Sequence, residues 1–140
     1  MRHTIITIIA AAWLLTTCCR TAYPDTPADH RVLLDAIRQV ESGGNDAARG
    51  DNGRSLGPLQ TSRAAWADST RYGKVTWDYD TLVWSWPHCQ QVAVWYWAKY
   101  GCKTDESRAR CWNGGPRGMS KRATEAYWKR VKAAMPQKER

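Results

Sequence analysis

The feature that most restricts the fold is a set of short segments with apolar residues at helical spacing, each ended by glycine or by polar turn residues. In the first of them, Leu33, Ile37 and Val40 recur at intervals of three and four, and Gly43-Gly44 follows directly. This spacing places apolar side chains on one face of a helix, and glycine commonly follows a helix end. The sequence therefore predicts an amphipathic helix over 30–42.

Similar patterns predict four further helices. Glycines interrupt residues 45–61 without any apolar period, which indicates a loop or one short hairpin. Residues 70–87 have tryptophans, aspartates and one proline without clean periodicity, which indicates a packed loop. The expected fold class is mostly α, with about five helices and at most one short β-hairpin. The four further helices are predicted over 63–69 after a Thr61 or Ser62 cap, over 88–100, over 104–112 and after a Ser120 cap.

The N-terminus has the layout of a secretory signal. An apolar run over 5–15 follows the short basic stretch "MRHT", and it is shorter than the roughly 20 apolar residues that span a membrane. We expect a signal peptide over 1–22, a linker over 23–30, a folded domain over 31–135 and a tail over 136–140. A buried core helix is the alternative interpretation of the run. Cys18 or Cys19 is a candidate lipidation site, which would make the exported protein a lipoprotein.

The positive net charge indicates which classes of molecule the protein is attracted to. The chain has 21 basic and 13 acidic residues, a net charge of +8, and removing 1–22 leaves 19 basic and 13 acidic residues, a net charge of +6. A basic protein is attracted to nucleic acid, anionic lipid or acidic wall polymers. No long basic run and no nucleic-acid-binding signature is present. We therefore expect no nucleic-acid partner, and membrane contact only through the signal or a lipid anchor.

Three cysteines remain after the signal: Cys89, Cys102 and Cys111. In a helix over 88–100, Cys89 and Cys102 would lie about 20 Å apart, which is beyond disulfide reach. Cys102 with Cys111 is the better pair, and three unpaired thiols is the alternative. Neither these cysteines nor the histidines have metal-ligand spacing, so we expect no metal and no cofactor.

Two carboxylates lie ten residues apart on either side of the first glycine turn. Glu41 falls in the last turn of the predicted helix, where burial and the helix carbonyl ends disfavour its charged form and raise its pKa. Asp51 falls in a loop of backbone N–H groups, where a carboxylate stays ionised. Two carboxyl groups in different protonation states suit glycoside cleavage. The alternative is a solvated glutamate and an ordinary turn aspartate.

Five motifs follow one another in a distinctive order and spacing: "ESGGN", "GDNGRSLGPLQ", "YWAKYG", "ARCWNGGPRG" and "ATEAYWKRV". Over most of 33–132 the sequence in this way resembles invertebrate-type, destabilase-like lysozymes, and the scarcity of cysteines suggests a bacterial or phage relative. The family usually has cysteine at Gly44 and isoleucine at Thr61 and often has histidine at Trp112, and aligning Asp51 requires a one-residue gap.

The resemblance implies roles for particular residues. Glu41 would be the general acid, and Asp51 would be the second carboxylate, acting as nucleophile or electrostatic stabiliser. Indole faces can stack on sugar rings, so Trp66 and Trp112 are the first candidates among the nine tryptophans for the cleft wall. The full set of substrate-binding candidates is Ser55, Gly57, Pro58, Gln60, Trp66, Tyr96, Trp112, Asn113, Gly114 and Gly115.

The implied activity is that of an exported, monomeric muramidase. It would cleave the β-1,4 bond between N-acetylmuramic acid and N-acetylglucosamine in peptidoglycan. One alternative is a lytic transglycosylase that uses Glu41 alone and releases anhydro-muramyl ends. Another is a wall-binding protein that keeps the cleft without turnover. No motif supports the isopeptidase activity associated with the family.

Overall fold

The computed structural model describes residues 28–137, which form a helical domain with one small sheet. The signal and lipidation predictions, residues 23–27 of the predicted linker and the last three residues of the tail lie outside this range, and the first helix begins within the predicted linker, at Ala28. Among residues 28–137, no helix is long and apolar enough to cross a membrane. The helices are α1 (Ala28–Ser42), α2 (Arg63–Gly73), α3 (Tyr79–Leu82), α4 (Trp86–Lys99), α5 (Asp105–Gly114) and α6 (Ala123–Ala134), with short 3-10 helices at Asp51–Gly53 and Gly118–Ser120.

The first helix follows the apolar period of the sequence. Leu33, Leu34 and Ile37 on its inner face are completely buried. The helix ends at Ser42, and Gly43 and Gly44 both have positive φ angles, 61° and 84°. Because side chains rarely adopt this left-handed conformation, the glycine pair lets the chain turn away sharply just after Glu41.

Three two-residue strands follow α1 and form an antiparallel sheet in the order β1, β2, β3. The strands are β1 (Arg49–Gly50), β2 (Ser55–Leu56) and β3 (Thr61–Ser62). Gly50 lies opposite Ser55, and Ser55 lies opposite Ser62. The sheet therefore holds the loop that carries Asp51 against the start of α2.

Helix α4 lies at the centre of the domain. It packs against α2 and α5, while α6 packs against both α1 and α5. Cys89, Val92 and Ala93 on α4 are completely buried, and Trp97 is nearly so. The contact between α1 and α6 matters for function, because it brings residues from opposite ends of the chain together beside Glu41.

The mostly α prediction is confirmed, with three local differences. The sheet has a third strand beyond the one hairpin expected. The prediction of a packed loop over 70–87 was wrong, because this range contains the end of α2, all of α3 and the start of α4. The first turn of α3 is capped when the Asp78 side chain accepts a hydrogen bond from the Thr81 backbone N–H. The predicted Ser120 cap was wrong, because α6 begins after Arg122 without a side-chain cap, and the Ser120 hydroxyl donates to the Arg117 carbonyl instead.

Candidate active site

A polar cleft of about 300 Å³ lies between the end of α1, the small sheet and the end of α5. It contains both carboxylates proposed from the sequence, together with four of the substrate-binding candidates. The residues that line it are Glu41, Asp51, Ser55, Gln60, Thr61, Ser62, Ala65, Trp112 and Asn113.

Glu41 is the penultimate residue of α1 and is held by a tyrosine from the far end of the chain. The Tyr127 hydroxyl donates a 2.7 Å hydrogen bond to Glu41 Oε1. Burial raises the pKa of Glu41 and is the largest influence on it; the Tyr127 hydrogen bond and the charge of Arg130 lower the pKa, and the nearby charge of Asp51 raises it. The net effect is upward, which favours the protonated form of the carboxyl group, the form that a general acid uses.

Asp51 occupies the other side of the cleft in a constrained backbone conformation. Its φ is 50° and that of Asn52 is 56°, values that are uncommon for residues with side chains. The Ser55 hydroxyl donates to Asp51 Oδ2 at 2.7 Å, and Arg54 donates to the Asp51 carbonyl through Nε and the backbone N–H. These bonds hold the Asp51 backbone and its exposed carboxylate in place, whereas the Glu41 side chain is half-buried.

The segment after Asp51 forms the floor of the cleft in two layers. Gln60 faces the cleft, and its side-chain amide donates to the Gly57 carbonyl at 3.0 Å. Gly57 and Pro58 lie beneath, buried and out of the cleft. A Cβ atom at Gly57 would lie 2.0 Å from the Val83 carbonyl oxygen, so the close approach of two backbones depends on glycine there.

Trp112, on α5, forms the wall of the cleft on the side away from the sheet. Its indole N–H donates to the Leu59 carbonyl at 3.0 Å, which ties α5 to the floor of the cleft. Tyr96 lies behind it, with the two rings edge to face at 5.5 Å and only 6% of Tyr96 exposed. Tyr96 therefore supports the wall rather than lining it, while Asn113 is exposed at the rim.

Three other substrate-binding candidates lie away from the cleft lining. Trp66 is 3% exposed in the core, where its indole N–H donates to the Trp77 carbonyl. Its large apolar surface is used for packing, so it does not offer a face to a sugar. Gly114 packs against Thr124, and Gly115 ends α5 with a φ of 79°. These two glycines shape the turn next to Asn113.

Four residues of the site were not among the sequence candidates. Thr61, Ser62 and Ala65 line the cleft at the start of α2, and Tyr127 contacts Glu41. The Ser62 hydroxyl also caps α2 by accepting from the Ala65 backbone N–H. The sequence contained one usable signal for Tyr127, since it falls on the apolar stripe of α6 but carries a polar tip that needs a partner when buried.

The cysteines lie outside the cleft lining. Cys102 and Cys111 are thiols in the structure, and burial together with the neighbouring Cys102 thiol raises the pKa of Cys111. Cys89 is buried, and its thiol donates to the Val83 carbonyl. Within residues 28–137, no three His, Cys, Asp or Glu side chains are grouped to hold a metal ion.

This arrangement can perform acid catalysis on a polar substrate. A carboxyl group biased toward its protonated form shares a cleft with an exposed carboxylate, and hydroxyl, amide and indole groups surround both. One group can protonate a leaving oxygen while the other stabilises the positive charge that develops on carbon, which is the division of roles in glycoside cleavage.

Comparison with the sequences of known proteins identifies relatives that are lysozymes. No protein-family model matches the chain. It is 38% identical to "Lysozyme 1" of Crassostrea virginica over 87 residues, which cover 59% of this chain and 46% of that protein. It is 30% identical to "Lysozyme" of Ostrea edulis over 136 residues, which cover 91% of this chain and 92% of that protein. The chain thus spans about half of the first relative and nearly all of the second.

Solved structures agree with the sequence relatives. The lysozyme of Tapes japonica matches with a TM-score of 0.62 and 28% identity, over 72% of this chain and 86% of that chain. The Meretrix lusoria lysozyme in complex with Aeromonas hydrophila PliI matches with a TM-score of 0.64 and 29% identity, over 74% of this chain and 88% of that chain. The near-complete match to the Ostrea protein and the likeness to these two folds show that the chain belongs to the invertebrate-type lysozyme family of glycosidases.

Proposed function

We propose that the protein is an exported muramidase that hydrolyses the β-1,4 bond between N-acetylmuramic acid and N-acetylglucosamine in peptidoglycan. The observation that carries this proposal is the contrast between two carboxyl groups in one cleft. Glu41 is half-buried with a raised pKa, and Asp51 is exposed with a hydroxyl donor on its carboxylate. Such a pair can donate a proton and stabilise positive charge at the same time.

Glu41 acts first, as the general acid. It transfers its proton to the glycosidic oxygen as the bond from that oxygen to the anomeric carbon breaks, and the bonding electron pair stays with the oxygen. Asp51 attacks or electrostatically stabilises the electron-poor anomeric carbon. Water then adds its oxygen to that carbon and displaces Asp51 where a bond to it has formed; one proton of the water goes to the deprotonated Glu41, and the other stays on the new hydroxyl group. The step consumes one water molecule and leaves a new reducing end.

The remaining cleft residues hold the sugar. Ser55 orients Asp51, and Gln60 is in turn held by its bond to Gly57. The half-buried Trp112 lines the cleft as a wall, and Asn113 adds an amide donor and acceptor at the rim. Hydroxyl and N-acetyl groups of an amino sugar match these side chains, because each needs both donors and acceptors.

The net charge of the protein fits an anionic cell wall. The sequence carries a net charge of +8, and charge of this sign raises the local concentration of the enzyme at an acidic polymer. We propose that the protein works as a monomer outside the cytoplasm, with a lipid anchor at Cys18 or Cys19 as the alternative to free release.

Digestion of purified peptidoglycan in ¹⁸O-labelled water tests the reaction type. Hydrolysis places one ¹⁸O atom at each new reducing end, and mass spectrometry of the fragments detects it. A lytic transglycosylase would release unlabelled anhydro-muramyl ends instead. Anhydro products that persist in Asp51→Asn would overturn the hydrolase proposal.

The same experiment needs a control for loss of a surface carboxylate. Asp35→Asn removes an exposed carboxylate from α1, away from the cleft lining, and should release labelled ends at the wild-type rate. Asp51→Asn should release them much more slowly. A wild-type protein that binds the wall and releases no fragments of either kind would instead be a binding protein.

A further inference from the structure

Tyr127 reaches the candidate acid from a different part of the chain. It lies on the inner face of α6, is 3% exposed, and its hydroxyl donates to Glu41 Oε1 at 2.7 Å. Helix α6 packs directly on α1. The bond therefore joins two helices whose residues are 86 positions apart in the sequence, and it fixes the carboxyl group from behind.

The Tyr127 hydroxyl remains a donor in this setting. Burial raises its pKa, and the neighbouring charge of Glu41 raises it further. The phenol therefore keeps its proton at pH values where other tyrosines begin to ionise. Because the phenol keeps its proton, it can donate to Oε1 of Glu41 throughout this pH range. The other carboxyl oxygen, Oε2, receives no hydrogen bond from Tyr127.

We propose that Tyr127 is a positioning residue that holds Oε1 of Glu41, so that Oε2 is the oxygen that delivers the proton to the glycosidic oxygen. This inference rests on the proposed role of Glu41 as general acid. A carboxyl group on a glutamate side chain can otherwise rotate, and small errors of placement at a reacting centre reduce rates strongly. The hydrogen bond restricts that rotation without itself touching the substrate.

The groups around Glu41 determine how pH should affect the variant enzyme. From α6 it is faced by Tyr127 and Arg130, and from the 3-10 helix by Asp51. The Tyr127 bond and the Arg130 charge lower the pKa of Glu41, whereas burial and Asp51 raise it. Removing the hydroxyl takes away the larger of the two lowering effects, so the pKa of Glu41 should rise. The loss of activity on the alkaline side should then occur at higher pH.

Tyr127→Phe tests the proposal because it removes the hydroxyl and keeps the ring. We expect kcat to fall about tenfold because the acid is less well oriented, while KM stays close to the wild-type value. We also expect the alkaline limb of the kcat–pH profile to move to higher pH. A wild-type kcat together with a wild-type alkaline limb would overturn the proposal.

Tyr100→Phe is the matched control. The Tyr100 hydroxyl also donates to a carboxylate, Asp68, at 2.5 Å, but Asp68 is outside the cleft lining. This variant loses the same kind of bond and keeps a comparable ring. It should leave both kcat and the pH profile unchanged, and an equal effect of the two variants would reduce Tyr127 to a structural role.

Two further arms separate the possible failures. Incorporating 3-fluorotyrosine at position 127 keeps the hydroxyl and makes it a stronger donor, so the alkaline limb should move to lower pH, opposite to Tyr127→Phe. If Glu41→Gln keeps wild-type activity, the proposed function fails. If Glu41→Gln is inactive while neither change at position 127 alters kcat or moves the limb, only the role of Tyr127 fails.

Discussion

A methyl group added at Gly57 should destabilise the protein through a backbone collision beneath the cleft. Gly57 has a φ of 76°, and a Cβ there would lie 2.0 Å from the Val83 carbonyl oxygen and 3.0 Å from the Val83 carbonyl carbon. Both are backbone atoms, so no side chain can rotate away. Gly57→Ala must push the turn between β2 and β3 away from the end of α3.

The magnitude follows from two contributions. A side chain in the left-handed conformation costs about 1–2 kcal/mol, and relieving an overpacked contact costs about 1–3 kcal/mol. The free energy of unfolding should therefore fall by about 2–5 kcal/mol. For a domain of this size, 1 kcal/mol corresponds to about 4 °C in Tm, so Tm should fall by about 8–20 °C.

Gly101→Ala separates the collision from the conformational cost. Gly101 has a similar φ of 67°, but a Cβ there would meet nothing within 4 Å. It should lose only about 1–2 kcal/mol. Thermal unfolding followed by circular dichroism, with urea titration at 25 °C, measures both variants. Equal loss of stability in the two variants would refute the collision argument.

Three other predictions concern the cleft and the cysteines. Asp51→Asn removes a charge that raises the pKa of Glu41, so an NMR titration of the Glu41 carboxyl carbon should show a lower pKa; a pKa that stays the same or rises would contradict their proximity. Trp112→Phe removes the hydrogen bond to the Leu59 carbonyl and should cost about 1–2 kcal/mol in the free energy of unfolding and raise KM; unchanged stability and KM would contradict its role as the cleft wall. Mild oxidation should join Cys102 to Cys111 in a disulfide and stabilise the domain by about 2–3 kcal/mol. Mass spectrometry should detect the disulfide as a loss of about 2 Da that is absent in Cys111→Ser. An unchanged mass in the wild type would contradict this pairing.

Local periodicity was enough to predict the helix that carries Glu41. The apolar spacing of Leu33 and Ile37 and the glycine pair at Gly43 and Gly44 locate its inner face and its end, and both agree with the structure. The raised pKa of Glu41 followed from the same reasoning, since a helix end beside buried residues is poorly solvated. These features depend on neighbours in the sequence, which a single sequence contains.

Some of the features that were missed are very short local elements, and the others depend on long-range packing. The strands are two residues long, too short to show alternation, and the tryptophans and proline of 70–87 obscured the Asp78 cap of α3. Trp66 was expected in the cleft because indoles bind sugars, but its burial is decided by Trp77 and Tyr79 around it. The sequence likewise predicts that Tyr127 faces inward, but only the crossing of α1 and α6 decides that it meets Glu41.

The rate at which Glu41→Gln releases reducing ends from purified peptidoglycan tests the central claim most directly. Glutamine keeps the size of the side chain and can still accept from Tyr127, but it has no carboxyl proton to donate. We predict a fall in kcat of about a thousandfold with an unchanged thermal unfolding profile, while Glu125→Gln, on an exposed glutamate of α6, keeps the wild-type rate. A folded Glu41→Gln enzyme that works within about twofold of the wild-type rate would contradict the assignment of Glu41 as the general acid.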